Sequence, residues 1–194
     1  GPRMSLRVFA GWDSDEKVPE QADWLEQSYA GGVPMGGELR GGEIRGSSLP
    51  KAGALNAPHF ILFAGKDPIG ANLDRLQVIK AWIDKSGSSH EKIYDVDGSG
   101  DRKIDPVTGL LTSVGNTVDV EDASYTNTIG SAQLSALWTD PDFVATQEAF
   151  YYARVIEIPT PRYSTYDAKA LGVEAPEPAT IQERAVSSAI WYQP

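Results

Sequence analysis

Residues 5–12 alternate Leu6, Val8, Ala10 and Trp12 with Arg7, Phe9 and Gly11, the period-two signature of a strand with one apolar face. Residues 58–65 (PHFILFAG) form a dense apolar run, short enough for a strand covered on both faces. In residues 73–84, Leu76, Val78 and Trp82 fall on one side and Ile79, Ala81 and Ile83 on the other. The Ser/Gly text of residues 85–89 then reverses the chain into a return strand over 90–96, a β-hairpin. Residues 132–139 fit either a strand or two helical turns, closed by Pro141. The cleanest alternation is residues 149–158 (AFYYARVIEI), which predicts a central strand, and residues 184–192 alternate again near the end. Phe150, Tyr152 and Ile156 are expected to face the core, with Trp191 beside them.

Helical signals are few. Pro19 can open a short helix through Glu20, Trp24, Leu25 and Ser28, with its acidic residues near the positive end of the dipole. Residues 30–53 are rich in glycine, with Pro34 and Pro50, and read as a long loop or irregular junction. Pro159, Pro161, Pro176 and Pro178 frame an excursion of the kind that packs along a surface. A hairpin, long crossing loops and late strands fit an antiparallel β-sandwich-like domain better than a βαβ fold, which needs regular helices between strands. The expected organisation is a junction segment over residues 1–50, comprising the N-terminal strand and the glycine-rich stretch, followed by a mainly β, sandwich-like domain over 51–194.

Composition narrows the function classes. The 194 residues suffice for one sizeable core, and nineteen glycines with thirteen prolines agree with many turns. Seventeen basic against twenty-seven acidic residues leave a net charge of -10, the wrong sign for neutralising a phosphate backbone, so nucleic acid is not an expected partner. No stretch approaches the roughly eighteen apolar residues of a membrane span. The absence of cysteine removes disulfides, thiolate metal sites and thiol nucleophiles.

The most suggestive local motif is Asp95-Val96-Asp97-Gly98-Ser99-Gly100-Asp101, which places oxygen ligands at the first, third, fifth and seventh positions of a calcium loop and glycine at the sixth. Arg102 and Lys103 then occupy the eighth and ninth positions, and Pro106 stands where a bidentate acid belongs. A weak calcium site at Asp95, Asp97, Ser99 and Asp101 competes with an acidic turn partly neutralised by Arg102 and Lys103. His59 lies inside an apolar run and reads as structural, whereas His90 reads as exposed. No HExxH spacing, nucleophile elbow or phosphate-loop spacing is present. Trp12, Trp82, Trp138 and Trp191 sit in alternating segments, where core packing is expected ahead of a sugar platform.

Seven blocks carry a family likeness: GPRMSLRVFAGW, YAGGVPMGG, KDPIGANLDRLQVIKAW, KIYDVDGSGDRK, TNTIGSAQLSALWTDPDF, FYYARVIEIPTPRYSTYDAKALGV and TIQERAVSSAIWY. In this order they resemble the C-terminal part of the DUF3604 proteins, a family related to the PHP and amidohydrolase-like metallohydrolases. The resemblance implies a longer parent whose divalent metal is held by a histidine-rich upstream catalytic domain, with no cofactor in the present chain. It suggests that Gly1, Pro2 and Arg3 are native, although a cleavage scar would also leave Gly-Pro, and it implies that Arg3 approaches that upstream domain to hold an anion or a carbonyl. Asp97 and Gly98 depart from the family wording, which weakens a family-wide calcium role. Exported parents are common in the family, so the resemblance suggests a periplasmic or extracellular setting. The expected function is a non-catalytic accessory domain of a metal-dependent hydrolase of unknown substrate, with a glycan or small-ligand binding module as the alternative. An exposed aromatic row on one sheet face favours the alternative, and an apolar or glycine-rich docking surface near residues 30–50 favours the first.

Overall fold

The computed structural model describes residues 1–12, 22–41 and 57–194. Its strands are β1 (Ser5–Gly11), β2 (Val33–Pro34), β3 (Glu38–Arg40), β4 (His59–Gly65), β5 (Leu73–Ile83), β6 (Ser89–Gly98), β7 (Gln133–Thr139), β8 (Ala149–Glu157), β9 (Thr160–Pro161), β10 (Thr180–Ile181), β11 (Arg184–Val186) and β12 (Ile190–Gln193). Two short helices, α1 (Trp24–Gly31) and α2 (Tyr163–Leu171), complete the described elements. Neither is long and apolar enough to cross a membrane.

The strands build two main sheets, one ordered β2-β1-β4-β7 and the other β3-β12-β8-β5-β6 with β11 also on β8. Pairing is antiparallel throughout except for β12 with β3. The fold is therefore mainly β and sandwich-like, as the alternation predicts. β5 and β6 form the expected hairpin, whose reversal is fixed by Asp84: its Oδ1 accepts the backbone N–H groups of Ser86 at 2.8 Å and Ser88 at 3.0 Å. β8 lies in the middle of the larger sheet, and residues 133–139 resolve as strand.

Both sheets contribute alternate side chains to one core. Val8, Ala10, Phe60, Leu62, Leu134 and Ala136 meet Leu76, Val78, Tyr151, Ala153, Val155 and Tyr192. The Phe60 and Tyr151 ring centroids lie 4.6 Å apart, and those of Trp12 and Tyr192 5.9 Å. Within this core Lys80 Nζ meets Asp140 Oδ2 at 2.6 Å, and the Tyr151 hydroxyl donates to the same oxygen at 2.8 Å. These bonds satisfy charges whose burial is otherwise costly.

The inward phase of β8 differs from the expectation. Ala149, Tyr151, Ala153, Val155 and Glu157 are buried, whereas Phe150, Tyr152 and Ile156 are only partly covered. Trp191 is 53% exposed and belongs to the outer face as well. Alternation defines two faces without saying which one meets the second sheet, and here the face with more small side chains is enclosed. Of the other tryptophans in alternating segments, Trp12 is buried while Trp82 and Trp138 are half-buried.

Both helices lie outside the two main sheets. The proline-framed excursion contains α2, ended by Gly172 with φ 67°, a left-handed position suited to glycine. α1 covers the outer side of β1, where Trp24 and Tyr29 pack edge-on against Phe9. Its expected start at Pro19 and Glu20, and residues 42–53 of the glycine-rich stretch, lie outside the described residues. Strands from both sides of residue 50 pair with each other: β1 lies between β2 and β4, and β3 joins β12.

Candidate functional site

The acidic turn is built at a β-bulge. The pairing of β5 with β6 shifts between Leu76 and Gln77, so Leu76 faces Asp97 while Gln77 faces Asp95. Asp95 is buried, accepting Gln77 Nε2 at 2.6 Å, Arg75 Nη1 at 2.9 Å and the Leu111 N–H at 2.6 Å. Asp97 instead accepts the N–H of Gly98 at 2.8 Å and that of Ser135, in the other sheet, at 3.0 Å. Burial raises its carboxyl above the usual range, opposed by those two N–H groups. Ser99 Oγ accepts Arg102 Nη2 at 3.0 Å, and Asp101 is exposed.

The turn residues thus serve separate protein donors. Arg102 is the hub: its guanidinium also reaches Asp74 Oδ1 at 2.8 Å and the Thr112 carbonyl at 2.8 Å. At Gly98 a Cβ would stand 2.2 Å from Leu111 Cδ1, so any larger residue would have to displace the Leu111 side chain. Among the described residues, no three His, Asp or Glu side chains form a group suited to a metal ion. His59 Nδ1 lies 2.6 Å from Thr139 Oγ1, and the exposed His90 places Nε2 2.7 Å from Asp84 Oδ2.

Arg3 occupies a different pole. Its backbone N–H donates to Asp67 Oδ2 at 2.7 Å, and that bond, with another from Ile69, holds the Asp67 carboxyl below its ordinary range. The Arg3 side chain is exposed, and its positive charge adds to the lowering of the Asp67 carboxyl. Glu157, at the end of β8, is 1% exposed and its Oε1 has no hydrogen-bond partner. Burial, reinforced by the charges of Glu183 and Asp67 and opposed by Lys66, pushes its carboxyl up to about 7. Its signature in sequence is a carboxylate in phase with Tyr151, Ala153 and Val155.

The outer face of the larger sheet carries the open site. Register places Glu91, Ala81, Phe150, Trp191 and Glu38 side by side on β6, β5, β8, β12 and β3. Directly opposed residues share a face, so this row runs straight across the sheet. Small Ala81 leaves a depression beside the aromatic pair, whose centroids are 4.9 Å apart with planes inclined at 44°. Tyr152 stacks behind Phe150 at 6.4 Å. One step along the strands, Ile83, Ser89, Glu148 and Gln193 extend the depression into a cavity of about 480 Å³. Among the described residues, the side chains of Ser89, Glu91, Glu148 and Gln193 have no hydrogen-bond or ionic partner in the chain.

Two facing antiparallel sheets with an aromatic groove on an outer face define a β-sandwich-like domain with a small-molecule-sized surface site. The chain matches, over residues 1–194, the family model described as Protein of unknown function (DUF3604), and it belongs to that family. No curated protein and no solved structure matches it.

Proposed function

We propose that this chain is a non-catalytic accessory domain of a larger metal-dependent hydrolase related to the PHP and amidohydrolase-like enzymes. The observation that carries this reading is the commitment of its most suggestive polar groups to structural bonds: Asp95 to Arg75, Gln77 and Leu111, Asp97 to Gly98 and Ser135, and Asp140 to Lys80 and Tyr151. Catalytic groups need an open coordination place or a substrate-facing lone pair, which these bonds consume. The upstream domain of the parent holds the divalent metal. Arg3, pinned at its backbone and exposed at its side chain, supplies the contact to that domain through a fork of donors. The parent's setting is periplasmic or extracellular.

The purified 194 residues, supplied with zinc, manganese or magnesium, should turn over no phosphate, sulfate, ester or amide substrate. In the intact parent, Arg3→Ala should weaken substrate binding or folding while metal stoichiometry is kept. Saturable turnover by the 194 residues, lost on changing one of their own carboxylates, refutes the accessory reading.

A second reading is a glycan or small-ligand binding module. It is favoured by the outer-face pair of half-buried Phe150 and exposed Trp191, with the unpartnered carboxylates Glu91 and Glu148 beside it.

A further inference from the structure

The rim of the outer-face groove carries two carboxylates, and His90, which also lines it, is engaged with Asp84 Oδ2 at 2.7 Å. Glu91 and Glu148 are exposed and unpartnered, and among the described residues no lysine or arginine lines the cavity. Its wall is the Phe150 and Trp191 pair, and an aromatic face carries the negative end of the ring quadrupole. Carboxylates and ring faces therefore ask for the same occupant. A purely apolar partner would strip water from Glu91 and Glu148 and return nothing. A phosphate or carboxylate ligand would meet two like charges. A strongly hydrated bare cation keeps its water, whereas an alkylated ammonium sheds it readily and can lie against a ring. The cavity of about 480 Å³ falls within the range of small-ligand sites. The net charge of -10 raises the local concentration of any cation.

We propose that this groove binds a small organic cation, an ammonium bearing methyl or methylene groups, seated on the faces of Phe150 and Trp191 with Glu91 and Glu148 as counter-charges. This rests on the second reading above and is independent of the accessory one. Ser89 and Gln193 stand ready to bond a hydroxyl carried on the same ligand. Trp191 is exposed enough to be replaced without opening the core.

Choline is the probe, compared with its uncharged isostere 3,3-dimethylbutan-1-ol and with cellobiose, on the whole chain at low salt by calorimetry and tryptophan fluorescence. Choline should saturate, and the neutral isostere should bind at least about tenfold more weakly. Trp191→Ala should abolish the choline signal with unchanged thermal unfolding, and Glu91→Gln and Glu148→Gln should each weaken it and flatten its salt dependence. Equal binding of choline and its isostere overturns the cation. Cellobiose binding that ignores both Glu→Gln changes also overturns it while leaving the module reading intact, and failure of all three probes to saturate removes both.

Discussion

Asp95 and Asp97, two residues apart on β6, accept hydrogen bonds in different parts of the sandwich: Asp95 from Gln77 and Arg75 within its own sheet, Asp97 from the Ser135 N–H of the other. The bulge opposite Leu76 and Gln77 produces this divergence, because it adds one residue to β6 and resets the alternation. A calcium loop needs both carboxylates turned toward one point.

Calcium at millimolar concentration should accordingly leave thermal unfolding unchanged. Asp95→Ala, which takes the acceptor from the buried Gln77 amide and the Leu111 N–H and a counter-charge from Arg75, should cost about 3 kcal/mol in denaturant unfolding. Micromolar calcium affinity lost in Asp97→Ala would show that the two residues can converge.

Glu157 should make stability depend on pH with the opposite sign to an ordinary paired carboxylate. Its folded carboxyl is pushed up to about 7 from the ordinary 4.5, so the folded chain binds the extra proton between those values. The stabilisation is complete below about pH 4.5 and is lost as pH rises through about 7, a loss of about 3 kcal/mol. Glu157→Gln keeps the shape without the charge. Subtracting its stability profile from that of the unaltered chain should leave a fall between pH 5 and 8, and a flat difference would place Glu157 in contact with water or a donor.

Phe150 and Tyr151 are neighbours with opposite environments. Tyr151 is buried against Phe60 and donates to Asp140, whereas Phe150 is half-buried on the outer face. Tyr151→Ala should cost on the order of 3–5 kcal/mol and Phe150→Ala about 1 kcal/mol in urea unfolding. Reversal of that order would turn β8 over.

That pair also marks where sequence reasoning reaches and stops. The β5–β6 hairpin was legible because its alternation and its Ser/Gly reversal are local, and β4 because a dense apolar run admits few other states. The phase of β8 was not, since aromatic and aliphatic side chains occupy both of its faces and only the second sheet distinguishes them. The groove depends on β8 meeting β12 and β5 in a particular register, information spread over distant segments. α2 is short, lies among prolines and has little apolar stripe; its clearest mark is Gly172.

Lys80 and Asp140 should behave as a unit. Lys80 is 2% exposed and its ammonium donates to Asp140 Oδ2 at 2.6 Å and to the Asp142 carbonyl at 2.7 Å. Asp140 also holds the Tyr151 hydroxyl and accepts the Asp142 N–H at 2.9 Å, so its carboxylate is satisfied only with the ammonium in place. Lys80→Met should cost about 3–5 kcal/mol, because a buried carboxylate is left without its counter-charge. Adding Asp140→Asn removes that bare charge while keeping an acceptor for Tyr151, and the double variant should recover a large part of the loss. A double-mutant cycle in denaturant unfolding reads the coupling directly. Additive costs would mean that water, and not Lys80, neutralises Asp140 inside the sandwich.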